Sequence, residues 1–170
     1  MSNIELISRE TEQTLEIRAV VTMPKMPKVI KQSYDIILEY MKRKNIPVTK
    51  APFVKYEKLD WVKLDTQNKV IGFFKMFTQK WDVVIGFPID RVVPDEGQIK
   101  CGKIEGGKFL MTMHVGSYMQ VGNTYERMLK YLKEKKLTPK SESIEYYLND
   151  PKKVKKSELE TMVLIPIEGK

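Results

Sequence analysis

Large apolar side chains recur along this chain with helical spacing at two places. The two series are Ile30, Tyr34, Ile37, Leu38, Met41 and Val121, Tyr125, Met128, Leu129, Leu132. In both, the residues fall at i, i+4, i+7, i+8 and i+11, which places them along one face of a helix. The pattern predicts two amphipathic helices, the first over about residues 28–44 and the second from Val121 onward.

Runs rich in β-branched and aromatic residues flank each predicted helix and indicate strands. The predicted strands cover residues 3–9, 15–22, 53–59 and 81–89, then 99–104, 108–115, 144–148 and 158–167. Gly106 and Gly107 separate two of these runs and favour a hairpin, because both can take positive φ. Each half then reads ββαββ, which predicts an α+β fold of about eight antiparallel strands and two helices.

The two halves resemble each other beyond their helical spacing. Identical residues fall in one register: Tyr34 and Tyr125, Leu38 and Leu129, Tyr40 and Tyr131. Three identities favour an internal duplication, with halves at about residues 1–91 and 97–168 of a single domain over 1–170. The same comparison places Tyr56 on Tyr146. Each half is small for a core of its own, so we expect both helices on one shared sheet. A cleft along the pseudo-twofold axis between the halves is then the natural ligand site.

Residues 61–80 have no counterpart in the second half. Their apolar content, highest over residues 70–74, is too great for a free linker. We interpret them as an inserted hairpin or strand extension lying over the body of the protein.

The chain carries a formal charge of +8 over 170 residues, which raises the question of nucleic acid. Much of the excess lies in two lysine clusters: Lys130, Lys133, Lys135, Lys136 and Lys152, Lys153, Lys155, Lys156. Neither is interleaved with arginine or aromatic residues as single-strand platforms are. Lysines in a last helical turn also complement the helix dipole. A solvated surface is the favoured interpretation.

The cysteine content and the first residues of the chain bear on disulfides, metal sites and location. Cys101 is the one cysteine, so no internal disulfide forms, and nothing near it has metal-ligand spacing. We expect no metal and no cofactor. The first residues carry charges where a signal peptide needs an apolar run, and no segment has the length of a membrane span. We therefore expect a cytoplasmic protein without a membrane partner.

Three stretches of the second half are similar to a known family. GSYMQVGNTYERMLKYL, SIEYYLNDP and ELETMVLIPI resemble the GyrI-like small-molecule-binding domain. That domain is the effector-binding part of the multidrug regulator BmrR and of some AraC-family activators, and it also occurs alone. The resemblance implies a small aromatic, possibly cationic, ligand in a cleft lined by aromatic side chains from both halves.

The resemblance also implies a buried acidic residue on the last strand, facing the cleft. Carried over by position, that acid falls on Met162, where this chain departs from the pattern. Glu160 lies two residues away and on the same face of a regular strand, so it is a candidate replacement. The alternative is an apolar pocket without cation selectivity.

Eight residues are the candidate ligand contacts: Tyr118, Tyr146, Tyr147, Trp81, Trp61, Met162, Glu160 and Phe87. Tyr146 and Tyr147 adjoin on one strand and must point to opposite faces, so we expect only one of them in the cleft. Tyr34 and Tyr125 belong to the helical series and are interpreted as core. The single histidine, His114, is interpreted as structural.

The leading hypothesis is a stand-alone effector-binding domain that senses or sequesters its ligand. One alternative, implied by relatives, is hydrolysis of reactive cyclopropane-containing genotoxic compounds, with Glu160 and Tyr118 as the catalytic pair. Another is interaction with DNA gyrase, which the positive charge disfavours because the relative concerned mimics DNA with acidic surfaces. No DNA-binding module is apparent before the first strand, so we do not expect a self-contained transcription factor.

Overall fold

Eight antiparallel strands form one curled sheet in the computed structural model, which describes residues 2–66 and 75–169. The strands are β1 (Glu5–Arg9), β2 (Glu12–Thr22), β3 (Phe53–Glu57), β4 (Lys80–Pro88), β5 (Lys100–Ile104), β6 (Gly107–Val115), β7 (Ser143–Tyr147) and β8 (Glu160–Pro166). Their order across the sheet is β1-β6-β8-β7-β3-β4-β2-β5. The predicted α+β class and strand number are confirmed.

Two long helices, α1 (Met26–Arg43) and α3 (Val121–Lys135), pack on the same face of this sheet. Helix α1 covers β2 and β4, while α3 covers β6 and β8. The apolar stripe of α3 is buried as predicted at Met128, Leu129 and Leu132. The stripe of α1 is rotated slightly, because Tyr40 is fully buried and Leu38 is 38% exposed. The Tyr40 hydroxyl donates a 2.6 Å hydrogen bond to the Pro94 carbonyl, which explains how a tyrosine is tolerated there.

The opposite face of the sheet curls around a second apolar core. It contains buried side chains from six strands, namely Phe53, Val84, Ile104, Phe109, Ile144, Tyr146 and Leu164. Ile7 of a seventh strand, β1, packs against them and is partly buried. Since residues alternate between faces along a strand, each buried strand carries apolar side chains on both sides. The curl brings the two edges of the sheet toward each other.

The prediction of a hairpin at Gly106 and Gly107 is wrong, because the strands on either side of these glycines do not pair with each other. Strand β5 pairs with β2, whereas β6 pairs with β1 and β8, so β5 and β6 are not neighbours. Likewise β1 and β2 follow each other in the chain without pairing. Residues 105–106 and residues 10–11 instead cross where the sheet edges meet, and the Gly106 amide donates to Thr11 Oγ1 at 3.0 Å. The glycines therefore serve a close crossing of two chain segments rather than a reversal.

Outward from the β7–β3 pair, the sheet has the same order on both sides. One side runs β3-β4-β2 and ends with β5, which belongs to the second half. The other side runs β7-β8-β6 and ends with β1, which belongs to the first half. The internal duplication itself stays a prediction.

The inserted segment differs from its prediction. Residues 61–66 form a short helix, α2 (Trp61–Thr66), and residues 75–78 are also helical. The predicted apolar centre, residues 70–74, lies outside the described residues. Within the described ranges, no helix combines the length and apolarity that crossing a membrane requires.

Candidate functional site

The centre of the sheet carries polar side chains on the face that the helices cover. Strand β7 presents Ser143, Glu145 and Tyr147 at alternate positions, so all three point to one side. Glu145 lies opposite Val54 on β3 and Val163 on β8. Val54 packs in the core beneath α1, and Val163 packs in the core beneath α3. Glu145 therefore lies at the middle of the molecule, between the two helices.

The Glu145 carboxylate is 5% exposed and receives two tyrosine hydroxyls. Tyr125, on α3, donates to Oε1 at 2.9 Å, and Tyr147 donates to Oε2 at 3.0 Å. The Tyr125 hydroxyl also lies 2.9 Å from Ser143 Oγ. No lysine or arginine of residues 2–66 and 75–169 forms an ion pair with Glu145. Within residues 2–66 and 75–169, the carboxylate thus has hydrogen-bond donors but no ion-paired counter-charge.

Burial raises the pKa of Glu145 above its ordinary value, because the charged form loses its hydration. The hydrogen bonds from Tyr125 and Tyr147 oppose this shift but do not cancel it. Burial also raises the pKa of both tyrosines, and the nearby Glu145 charge adds to the effect. A cation placed against this carboxylate would supply the missing compensation.

Aromatic rings surround the carboxylate on several sides. Tyr118 packs edge-on against Tyr147 with ring centroids 5.3 Å apart. Across the site, the rings of Trp61 and Tyr125 lie 6.2 Å apart. We name this group the tyrosine cleft: Tyr34, Tyr56, Tyr118, Tyr125, Tyr147, Trp61 and Trp81 around Glu145.

The tyrosine cleft is closed over Glu145 in this structure. Tyr118 is the exposed ring at its edge, with 39% of its surface accessible. Tyr118 comes from a single 3-10 turn, Tyr118–Gln120, that connects β6 to α3. Two surface depressions lie elsewhere, one beside His114 and Arg127 and one between β2 and α1. Tyr118 is therefore the ring of the tyrosine cleft that is most accessible to solvent.

Four of the predicted ligand contacts meet in the tyrosine cleft: Tyr118, Tyr147, Trp61 and Trp81. Phe87 lies beside it under α1, where its ring is 5.2 Å from the ring of Tyr34.

Tyr146, Met162 and Glu160 lie on the opposite face of the sheet. The Tyr146 hydroxyl donates to Glu12 at 2.8 Å, and Met162 packs in the core of the curled face. Glu160 is exposed at the start of β8. Glu160 therefore points away from the face that carries Tyr147, and Met162 occupies the position where the resemblance implies an acid. The buried acid on the helix-covered face is Glu145, on the neighbouring strand β7.

Glu145 is not among the predicted ligand contacts, and Tyr34 and Tyr125 are predicted as packing residues. One signal was available, since SIEYY is a short buried strand with a charged residue at its centre. The alignment of the two halves did not reveal this signal, because it paired Tyr56 with Tyr146. In the sheet Tyr56 lies opposite Ser143, so these two share a face that Tyr146 does not.

Comparison with known proteins gives the family context. The family model of the GyrI-like small-molecule-binding domain matches residues 17–168. A search of curated proteins returned no match.

Solved structures of three proteins share the fold. The C-terminal domain of EcmrR is 18% identical, with a TM-score of 0.75 over 100% of this chain and 99% of that domain. This chain spans 58% of the longer EcmrR chain seen in a complex with DNA, with a TM-score of 0.77 over 99% of this chain. A hydrolase of Listeria innocua is 13% identical, with a TM-score of 0.60 over 97% of this chain and 91% of that one. SAV2435 bound to tetraphenylphosphonium is 11% identical, with a TM-score of 0.61 over 98% of this chain and 94% of that one.

Proposed function

Because this chain belongs to the GyrI-like small-molecule-binding domain family, we propose that it binds a small aromatic cation in the tyrosine cleft. The observation that carries the proposal is the buried carboxylate of Glu145, which has two tyrosine donors and no positive partner among the described residues. A charge taken out of water is costly unless an opposite charge compensates it. A bound cation would provide that charge, which no described lysine or arginine supplies through an ion pair.

The rings around Glu145 support an aromatic rather than a small inorganic cation. Tyrosine and tryptophan faces attract organic cations, each contact contributing about 0.5–2 kcal/mol. Flat ligands also bury apolar surface between such rings. SAV2435, which has the same fold, is known in complex with tetraphenylphosphonium, an aromatic monocation. We propose ligands of that chemical class for this chain, which would sense or sequester them.

Binding can be followed through the protein's own fluorescence. Trp61 and Trp81 are its two tryptophans, and both belong to the tyrosine cleft. Titration with tetraphenylphosphonium is therefore expected to change tryptophan emission and to raise the melting temperature.

Replacement of Glu145 by glutamine keeps the shape of the side chain and removes its charge. We predict that Glu145→Gln lowers the affinity for tetraphenylphosphonium at least about 30-fold, because one partner of a buried charge pair is lost. Isothermal titration calorimetry measures the change.

Glu16→Gln is the matched control. Glu16 is also buried, at 6% exposure, but it lies on the opposite face of the sheet, where Thr14 and Arg18 donate to it. Its replacement is expected to leave the affinity unchanged. Equal affinities for wild type and Glu145→Gln would refute the proposal.

Hydrolysis of a reactive ligand is the second candidate, supported by the Listeria hydrolase that shares the fold. In this chain the groups placed for such chemistry are Glu145 and Tyr147, since a general acid or base must lie within hydrogen-bond reach of the reacting atoms. Mass spectrometry of the ligand after incubation separates the two functions. A binding domain returns it unchanged, whereas a hydrolase converts it to a product that Glu145→Gln does not form.

A further inference from the structure

One hydroxyl beside the tyrosine cleft has no hydrogen-bond partner. Thr161, on β8, is fully buried, and its Oγ1 is one of two buried polar side-chain atoms left unpaired among the described residues. The other is Nη1 of Arg9. Buried hydroxyls are nearly always paired, so an orphan of this kind requires an explanation.

Thr161 lies on the same face of the sheet as Glu145. It is directly opposite Tyr147 on β7 and opposite His114 on β6. Directly opposed residues point to one side, and Tyr147 is two residues from Glu145 along β7. Glu145 and Thr161 are thus diagonal neighbours on adjacent strands, a relation that separates two residues by about 7–8 Å.

The neighbours of Thr161 are already engaged. His114 uses both ring nitrogens, with Nδ1 2.9 Å from Thr124 Oγ1 and Nε2 3.0 Å from the Ser117 carbonyl oxygen. The Tyr147 hydroxyl is donated to Glu145. Nothing in residues 2–66 or 75–169 pairs the Thr161 hydroxyl, which is therefore available to a ligand group.

We infer that Thr161 is a specificity-determining residue, whose hydroxyl bonds a polar substituent of the ligand. The inference rests on the proposed function and refines it. The preferred ligand is an aromatic cation that carries an N–H or O–H group about 7–8 Å from the position of its charge, by the diagonal spacing of Glu145 and Thr161. Such a group would pair the hydroxyl that the free protein leaves unpaired.

The test uses Thr161→Val, which keeps the shape of the side chain and removes its hydroxyl. The two probes are ethidium, which has two aromatic amines, and 5-ethyl-6-phenylphenanthridinium, the same cation without them. We expect Thr161→Val to lower the affinity for ethidium about tenfold, because a ligand hydrogen bond is lost. Its affinity for the amine-free probe should stay within about twofold of wild type on the same grounds.

Thr112→Val is the matched control. Thr112 is equally buried on the same face, but its Oγ1 donates to the Asn3 carbonyl at 2.8 Å. The Thr112→Val variant should have a lower melting temperature and unchanged affinities for both probes, because a hydrogen bond within the protein is lost. Thr161→Val should instead raise the melting temperature of the free protein, because it removes an unpaired hydroxyl.

The possible results for Thr161→Val distinguish failure of this inference from failure of the proposed function. Equal loss for both probes in Thr161→Val, or no loss for either, would overturn the role of Thr161 alone. A melting temperature lowered by Thr161→Val as much as by Thr112→Val would also overturn it, because the hydroxyl would then have a partner in the free protein. Failure of wild type to bind either probe would overturn the proposed function and this inference with it.

Discussion

Glu145 combines two properties that seldom occur in one residue. It is buried in the middle of the molecule, and among the described residues it is satisfied only by neutral hydroxyl donors. Hydrogen bonds from Tyr125 and Tyr147 fix the position of the carboxylate without neutralising it. Under the proposed function, a proton and a bound cation therefore compete for this carboxylate.

This competition predicts a pH dependence. The pKa of Glu145 is raised by burial from the ordinary value of 4.5. The resulting contribution to stability is complete below the unfolded pKa and is lost as the pH rises through the folded pKa. It amounts to about 1.4 kcal/mol for each pH unit that separates the two pKa values. We expect the unfolding free energy of wild type to fall relative to Glu145→Gln as the pH rises from about 4. Urea unfolding of both proteins at a series of pH values measures the difference, in which the other titrating groups cancel.

Cation affinity should move the opposite way, rising with pH over the same interval, because the bound form needs Glu145 ionised. A stability difference that stays flat from about pH 4 to pH 8 would show that Glu145 titrates alike in the folded and unfolded chains.

For single residues, the sequence indicated aromatic side chains as ligand contacts but did not show which face of the sheet each side chain occupies. Tyr118, Tyr147, Trp61 and Trp81 were predicted contacts and lie in the cleft. Tyr146 and Met162 were predicted as well, but a shift of one position along a strand moves a side chain to the other face of the sheet. Only the pairing of β7 with β3 fixes that register, and pairing between distant strands is not encoded locally.

Among the elements, the β1–β2 and β5–β6 connections contact each other where the two edges of the curled sheet meet. Gly106 lies where the two segments touch. A Cβ built on it would approach the Arg9 carbonyl oxygen and the Thr11 amide nitrogen to 2.6 Å each. Both are backbone atoms, so neither can move aside as a flexible side chain would.

We predict that Gly106→Ala destabilises the protein by about 1–3 kcal/mol, the usual cost of forcing an extra methyl group into a packed contact. Gly122→Ala is the control. Gly122 lies in α3, where an added methyl group would meet no atom within 4 Å. Alanine there should stabilise the protein by about 0.5–1 kcal/mol. Denaturant unfolding of the two variants compares them directly. Equal stabilities would mean that the crossing is loose enough to absorb a side chain.

The elements themselves were largely predictable, since periodicity located both long helices and all eight strands. The connections were not. A Gly-Gly pair between two strands indicates a hairpin on local grounds, and nothing local reveals that Gly106 must pass beside Thr11 instead. Residues 61–66 were misjudged for a related reason, because their apolar side chains suit a strand or a short helix equally well.

For the molecule as a whole, charge and function oppose each other. The chain carries +8, yet the proposed ligand is a cation. A monocation approaching from a distance meets a repulsive field, and only within the cleft does Glu145 dominate. The long-range repulsion is screened by salt, whereas the buried contact is screened much less.

We therefore predict that the association rate constant for tetraphenylphosphonium rises when the salt concentration is raised from about 10 mM to 150 mM, as the Debye length shortens from about 30 to 8 Å. The dissociation rate should change less, because it reflects contacts away from solvent. Stopped-flow tryptophan fluorescence gives both rates. A neutral aromatic probe serves as the control, and an association rate that falls with salt for the cation would point to an acidic entrance instead.

The exchange of first strands between the halves also bears on how the chain folds as it is made. Strand β1 has its partner in β6, about a hundred residues later, and β2 must wait for β5 to complete its pairing. During synthesis, the first half leaves the ribosome with its outermost strand unpaired and one edge of its sheet open. Such contacts between distant segments slow folding and expose strand edges meanwhile. The order in which the chain emerges thus makes its second half the one that closes the sheet, on the nascent chain or after release.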